Sequence, residues 1–367
     1  MNKTMNKKIR VGILYGGKSA EHEVSIKSAK NIIDALDKNK YEPVLIGIDK
    51  TGRWLSDAGS RLLLKGEKID KTEANNIVAL AAQDNGRLIE ISKSEASEAV
   101  DVFFPVLHGP FGEDGTIQGL LKLANVPFVG AGVLGSAVGM DKDVMKRLLR
   151  DAGIPIAKFL VYKKHELAEI SFKKIKKELS LPFFVKPANL GSSVGVSKVR
   201  SEEEFKKAID SAFLYDNKIL IEENISGREI ECSVLGNEKP IASLPGEITP
   251  SHEFYSYEAK YLDENGAELK IPAELSKSTM KNIQKLAIKT FEVLCCEGMA
   301  RVDFFLTQDG KIIVNEINTI PGFTSISMYP KLWEASGISY SKLIDMLIDL
   351  AIERFDRDAK LKTSVIS

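Results

Sequence analysis

The chain has 367 residues, 44% of them hydrophobic, and 51 Lys+Arg against 51 Asp+Glu give a formal net charge of zero. That length exceeds one ordinary core and suggests two or three domains, while balanced charge leaves no overall field to favour nucleic acid or an acidic membrane, so any anion must be caught locally. The three cysteines (Cys232, Cys295, Cys296) lack CxxC spacing and the four histidines lack an HExxH pattern, which argues against structural zinc and a disulfide framework. No stretch approaches ~20 apolar residues, and the lysines near the N-terminus lead straight into a short strand, so the cytoplasm is the expected location.

In chain order, residues 1–130 read as a parallel α/β domain. Runs at 9–15, 43–48 and 102–107 are rich in β-branched residues, and they alternate with helical patterns such as 24–36. Ligands of such sheets bind at the carboxyl ends of the strands. Residues 131–226 read as a small α+β domain, with helices over 142–152 and 202–212, a strand hairpin over 183–199 and a strand over 219–222. Residues 227–367 supply a strand at 229–235, a polar and aromatic stretch at 246–270, a helix at 276–294, a further hairpin and a last helix. Irregular stretches longer than ~12–15 residues are usually functional or disordered. The lysine run at 173–177 is a solvated helix face.

Two Gly-rich segments compete as the phosphate cradle. Gly12 to Ser19 matches GxxxxGK[ST], and a nucleotide switch built on Lys18 would follow from it. The match is formal, because Ile13, Leu14 and Tyr15 read as strand interior, where backbone N–H groups cannot wrap a phosphate. The second segment, FFVKPANLGSSVGVSKV at 183–199, is strand, Gly/Ser loop, strand. Its bare backbone and the Ser192 and Ser193 hydroxyls offer donors, and Lys186 adds a point charge. An ordinary Gly-rich hairpin turn is the competing reading.

Near the end, ARVDFFL at 300–306 and IIVNEIN at 312–318 flank Asp309-Gly310, a strong two-residue turn signal. Such a turn sets Asp303 opposite Glu316 and Arg301 opposite Asn318. Period-two alternation puts these four on one face, and Val302, Phe304, Asn315 and Ile317 on the other. Facing carboxylates cost roughly 0.2–1 kcal/mol unless something offsets them. A divalent ion would do so, and oxygen donors from Asp, Glu and Asn suit Mg²⁺ or Mn²⁺. A solvated face on which Arg301 neutralises both acids is equally consistent with these residues.

Seven strings occur in order: GGKSAEHEVS at 16–25, HGPFGEDGTIQG at 108–119, MDKDVMK at 140–146, FVKPANLGSSVG at 184–195, EAKY at 258–261, ARVDFF at 300–305 and NEINTIPGFTS at 315–325. With them the chain resembles the D-alanine:D-alanine ligase family of ATP-grasp enzymes over essentially its whole length, with an insertion-like region near 50–95. The resemblance implies the ATP-grasp fold, an N-terminal parallel α/β domain followed by two α+β domains that clamp ATP, and a homodimer. It implies two Mg²⁺ (or Mn²⁺) ions on Asp303, Glu316 and Asn318, with Lys142, Lys186 and Ser193 near the phosphates. Glu222 would end the strand whose backbone reads adenine, and Glu229 would bind the ribose. The implied reaction activates one D-alanine carboxylate as an acyl phosphate, which the amine of a second D-alanine displaces to give a peptidoglycan precursor. Arg301 and the Gly322 N–H would stabilise the oxyanion. Glu21 would anchor the first ammonium, linked through Ser192 to Tyr261, with His108 in the same subsite, while Lys260 and Ser327 would lie near the second carboxylate. EAKY falls in the long irregular stretch, where a lid would shield the acyl phosphate from water. Ligases that take D-lactate or D-serine second are the nearest alternative, and the Lys260-Tyr261 pair argues for the dipeptide.

Overall fold

A computed structural model describes residues 7–69, 75–93, 95–97, 99–250 and 267–362. The N-terminal part contains β1 (Ile9–Gly16), β2 (Tyr41–Ile48), the short strands β3 (Val78–Leu80), β4 (Leu88–Glu90) and β5 (Glu95–Ala96), and β6 (Val102–Val106). β2-β1-β6 form the expected parallel sheet, whose apolar runs are buried as a sheet covered on both faces requires. The region near 50–95 folds as the helix Asp57–Lys65, capped by Ser56 Oγ, beside a separate antiparallel sheet β3-β4-β5.

The middle of the chain forms a second sheet from β7 (Phe159–Lys163), β8 (Phe183–Pro187), β9 (Ser197–Val199) and β10 (Lys218–Glu223), ordered β7-β10-β8-β9. The helices Phe172–Leu179 and Glu202–Ala212 cover it, and it has its own core around Ile175, Phe183, Phe205 and Ile219. The third sheet contains β11 (Gly227–Gly236), β12 (Ile241–Ala242), β13 (Gly246–Pro250), β14 (Ala267–Lys270), β15 (Gly298–Thr307) and β16 (Ile312–Asn318), ordered β14-β13-β11-β15-β16 with β12 on β11. The stretch 246–270, read as irregular, therefore begins and ends as paired strands.

The first and third sheets share one core. Ile13, Phe104 and Val106 pack with Phe323, Trp333, Ile344 and Leu347, and Phe104 meets Phe323 edge-on at 5.8 Å between ring centroids. Arg354, on the helix Tyr340–Asp358, reaches across this seam. Its guanidinium donates to Gly130 O at 2.5 Å and Phe128 O at 2.7 Å, and lies 4.5 Å from the Phe128 ring.

The β15–β16 connection corrects the sequence reading in two places. Thr307 N donates to Lys311 O and Gly310 N to Thr307 O, so the loop has three residues, 308–310, with Gly310 at φ +81°. Thr307 Oγ1, bonded to Asp309 and Lys311, holds this wider turn. Pairing then runs Leu306↔Ile312 and Phe304↔Val314, one residue away from the two-residue register. A β-bulge at Asn315 restores it, giving Asp303↔Glu316 and Arg301↔Asn318 as expected. Asn315 is the extra residue, and it lines the cavity described below instead of facing only the apolar side.

Replacing Arg354 by Leu leaves two buried carbonyls without donors and removes the ring contact. The urea midpoint should fall by the equivalent of about 2–4 kcal/mol. An unchanged midpoint would show that the seam does not depend on this side chain.

Candidate functional site

A cavity of about 350 Å³ opens at the carboxyl ends of β1 and β6, beneath the face formed by β11, β15 and β16 and beside the Gly/Ser loop. Gly16 and Gly17, at φ +90° and +97°, turn the chain off β1, and a Cβ on Gly16 would lie 2.3 Å from Ile48 O. The N–H groups of that turn are already used: Gly16 N donates to Ser25 Oγ and Gly17 N to Ile48 O. Lys18 is exposed. The turn is therefore a strand-to-helix corner, and the formal P-loop match is false on structural grounds.

One end of the cavity holds Glu21, His108 and Glu113, each at most 9% exposed. His108 Nδ1 lies 3.0 Å from Ile320 O, and because a carbonyl only accepts, Nδ1 carries the hydrogen. Nε2 is then a buried acceptor with no partner among the described residues. Burial pushes the His108 pKa down, which keeps the ring neutral. Glu113 accepts from Gly109 N at 2.9 Å and Ile320 N at 3.0 Å, and burial together with nearby Glu21 pushes its pKa up to about 8. A neutral imidazole acceptor beside the Glu21 carboxylate suits a small ammonium group. Glu113 was missed as a site residue although it lies within the string HGPFGEDGTIQG.

Beside the lining residue Glu316, Lys142 opens the helix Lys142–Asp151, whose N-cap Asp141 accepts from Asp143 N and Val144 N. Lys142 Nζ donates to Leu190 O at 2.7 Å and lies 3.4 Å from Glu316 Oε2. One turn on, Lys146 is 1% exposed and pairs with Glu222 Oε1, while Lys186 Nζ lies 2.5 Å from Glu222 Oε2. Burial alone would raise the Glu222 pKa, but the two ammoniums outweigh it and hold it at about 2. Burial lowers the Lys146 pKa, whereas at Lys186 the carboxylates of Glu222 and Glu316 overcome burial and raise it. The Glu222 side chain is thus an anchor for two lysines, a role the strand reading did not contain. Lys146 was missed; its signal was the four-residue spacing from Lys142 along one helix face.

On the sheet face, Arg301 grips Asp303 with two 2.8 Å bonds, and its Nε also lies 2.8 Å from Glu231 Oε2. Asn318 Nδ2 donates to Asp303 Oδ2 at 3.0 Å. Arg301 thus meets a third acid besides the two facing ones: Glu231, directly opposite Asp303 on β11, lies against the same Nε, while Glu316 also has Lys142 at 3.4 Å. Glu231 was also missed, though it follows Glu229 at the spacing that puts both on one strand face, and both line the cavity.

The Gly/Ser loop brings Ser192 to the cavity wall and Gly191 close to Glu21, 3.6 Å from a built Cβ to Glu21 Oε2. Ser192 and Ser193 sit at φ +53° and +59°, uncommon for non-glycine residues. Gly322 and Ser327 line the cavity together, and a Cβ on Gly322 would lie 2.7 Å from Ser327 Oγ. Lys260 and Tyr261 lie outside the described residues.

Among the described residues no group of three or more His, Cys, Asp or Glu side chains is arranged to hold a metal. The opposed carboxylates of Asp303 and Glu316 with the Asn318 amide are nonetheless a hard-oxygen set of the kind Mg²⁺ uses when phosphate oxygens complete its shell. The cavity also demands counter-charge, since among the described residues Glu21, Glu229, Glu231, Asp303 and Glu316 line it against Arg301 as the one cation.

Glu222→Gln should cost on the order of 3–5 kcal/mol at neutral pH, because Lys146 is left buried without its carboxylate. The Glu222 pKa is depressed from 4.5 to about 2, so its contribution is complete above 4.5 and is lost as pH falls toward 2. Denaturation across that window should fall off more shallowly in the variant than in the wild type. Parallel acid limbs would contradict the triad.

Two family models match the chain, "D-ala D-ala ligase N-terminus" over residues 10–131 and "D-ala D-ala ligase C-terminus" over 148–349. A D-alanine–D-alanine ligase of Oceanobacillus iheyensis is 55% identical over 362 residues, covering 97% of this chain and 99% of that protein. Among solved structures, the D-alanine-D-alanine ligase of Coxiella burnetii superposes with a TM-score of 0.83 at 42% identity, covering 96% of both chains. The VanG D-Ala:D-Ser ligase of Enterococcus faecalis does so with a TM-score of 0.84 at 36% identity, covering 94% of this chain and all of that one.

Proposed function

The chain belongs to the D-alanine–D-alanine ligase family, and from that premise we propose that it joins two D-alanine molecules, with ATP converted to ADP and phosphate, to make D-alanyl-D-alanine for peptidoglycan. The observation that carries this reading is the meeting, in one cavity, of an ammonium-suited end at Glu21 and His108 with the Asp303–Glu316 face, against which Lys142 and Lys186 stand.

Glu21 and the His108 Nε2 lone pair hold the first D-alanine by its ammonium, which turns its carboxylate toward the lysines. Lys142 and Lys186, the latter set by Glu222, offset the charge of the phosphoryl group as it moves to that carboxylate, and Ser193 adds a donor from the Gly/Ser loop. Glu229 takes the ribose, and the backbone at Glu222 the adenine. Asp303, Glu316 and Asn318 would hold two Mg²⁺ or Mn²⁺ ions, which neutralise phosphate charge when bound. Arg301, fixed by Glu231, and the Gly322 N–H face the oxyanion of the second step. Ser327 and Lys260 receive the second carboxylate, while Ser192 links Glu21 to Tyr261.

The division near residues 130 and 226 belongs to this proposal, with the separate core of the middle sheet supporting a movable clamp. So do a cytoplasmic, homodimeric enzyme and D-alanine and ATP as its only partners. Among the described residues no helix is long and apolar enough to cross a membrane. Likeness in fold to a D-Ala:D-Ser ligase makes D-serine the competitor to test in the second position.

Mass spectrometry of the products from ATP, Mg²⁺ and equal D-alanine, D-serine and D-lactate should give D-alanyl-D-alanine as the main species, and L-alanine should give none. A D-alanyl-D-serine majority would move the chain to the second reading, and phosphate release without any dipeptide would refute both. Asp303→Asn and Glu316→Gln keep shape while removing one anionic ligand each, so half-maximal activity should require roughly tenfold or more Mg²⁺. Unchanged Mg²⁺ dependence would remove the metal from this face.

A further inference from the structure

Gly322 sits in the segment 320–323, whose two ends are gripped by side chains from the N-terminal part of the chain. Glu113 Oε1 accepts from Ile320 N at 3.0 Å while His108 Nδ1 donates to Ile320 O at 3.0 Å. At the other end, Ser28 Oγ accepts from Phe323 N at 3.2 Å, and Asn31 Nδ2 donates at 3.1 Å to Phe323 O, which also accepts from the Tyr340 hydroxyl at 2.7 Å. Ser28 is fully buried, and it lies three residues before Asn31 on the helix His22–Ala35, so the two present a donor and an acceptor from one helix face. Between the clamped residues stand only Pro321, whose ring fixes φ, and Gly322, packed against Ser327. Glycine unaided would turn its peptide plane freely. Here the two planes that flank the Pro321–Gly322 peptide are pinned, one through the Ile320 C=O and the other through the Phe323 N–H, and the planes beyond them through the Ile320 N–H and the Phe323 C=O.

We propose that Ser28, Asn31 and Glu113 are positioning residues for the second chemical step: they hold Ile320 and Phe323 so that the Gly322 N–H meets the oxyanion as the amine adds. This rests on the ligase reading above. In that step the lone pair of the neutral amine forms the C–N bond and the carbonyl π electrons move onto oxygen. The oxyanion then collapses, the C–O bond to phosphate breaks, and the proton lost from nitrogen is carried away by phosphate. Phosphoryl transfer, the first step, forms no tetrahedral carbon and makes no such demand on Gly322. A merely structural weld would affect both steps, and the apolar contact of Phe323 with Phe104 already supplies one.

The test separates the steps in Ser28→Ala, Asn31→Leu and Glu113→Gln. Movement of ¹⁸O from the β–γ bridge to non-bridging positions of ATP, with D-alanine present, reports reversible phosphoryl transfer alone; dipeptide formation reports both steps. Dipeptide kcat should fall roughly tenfold, less than the ~10²–10³ seen when an oxyanion donor is deleted outright, while the ¹⁸O exchange rate and the KM for ATP stay at wild-type values. Equal loss of exchange and ligation, or loss of neither, would overturn the proposal. Ser28→Ala and Asn31→Leu decide it even if Glu113→Gln fails to fold. Wild-type protein that makes no dipeptide would sink the ligase reading instead, so the two failures are distinct.

Discussion

A single carboxylate buried between two ammoniums, Glu222 between Lys146 and Lys186, sets the geometry of the lysines beside the cavity. It joins three elements that are far apart in sequence: the helix Lys142–Asp151, β8 and β10. A buried ion pair is seldom a net gain in stability, because desolvating the charges offsets most of their attraction. What it fixes is position. With Lys146 tied to β10, Lys142 one turn earlier is aimed at the Gly/Ser loop and Glu316, and Lys186 is held near the end of its strand. The middle sheet that bears the triad's strands has a core of its own, whereas Met145 and Leu149 of the lysine-bearing helix pack with Val302 and Val314 in the core of the third sheet, so the ion pair ties the two cores together.

The end of the cavity that holds Glu21 is built on a seam. The N-terminal sheet and the last helices share a core, and polar contacts cross it at Arg354, His108, Glu113, Ser28 and Asn31. In the proposed reading, the amino-acid pocket and the oxyanion donor, which must keep fixed spacing, stand on that seam. Of the lysines beside the cavity, Lys186 stands on the sheet with an independent core, and Lys142 and Lys146 on a helix packed against the third sheet.

Much of this was legible in the sequence. Strand and helix periodicity gave the parallel sheet, and the ordered strings gave the family and most cavity residues. The hairpin shows the limit of local rules. Asp309-Gly310 suggested a two-residue turn, but Thr307 Oγ1 stabilises a three-residue loop, and the bulge at Asn315 then cancels the shift. The facing of Asp303 and Glu316 was right through two compensating departures that no pattern of apolar residues could reveal. Lys146, Glu113 and Glu231 escaped notice for a related reason. A charge in a helix or strand reads as solvent-facing until its partner, 76 residues away for Lys146 and Glu222, is brought beside it by tertiary packing.

The central claim is that one cavity couples ATP to a carboxylate before an amine arrives. It is tested most directly by following the carboxylate oxygens of D-alanine labelled with ¹⁸O through a single round of ligation. If the carboxylate is phosphorylated and the amine then displaces phosphate, each inorganic phosphate released must carry one ¹⁸O and the dipeptide must lose one. Phosphate free of label, with both oxygens of the product accounted for elsewhere, would contradict the account.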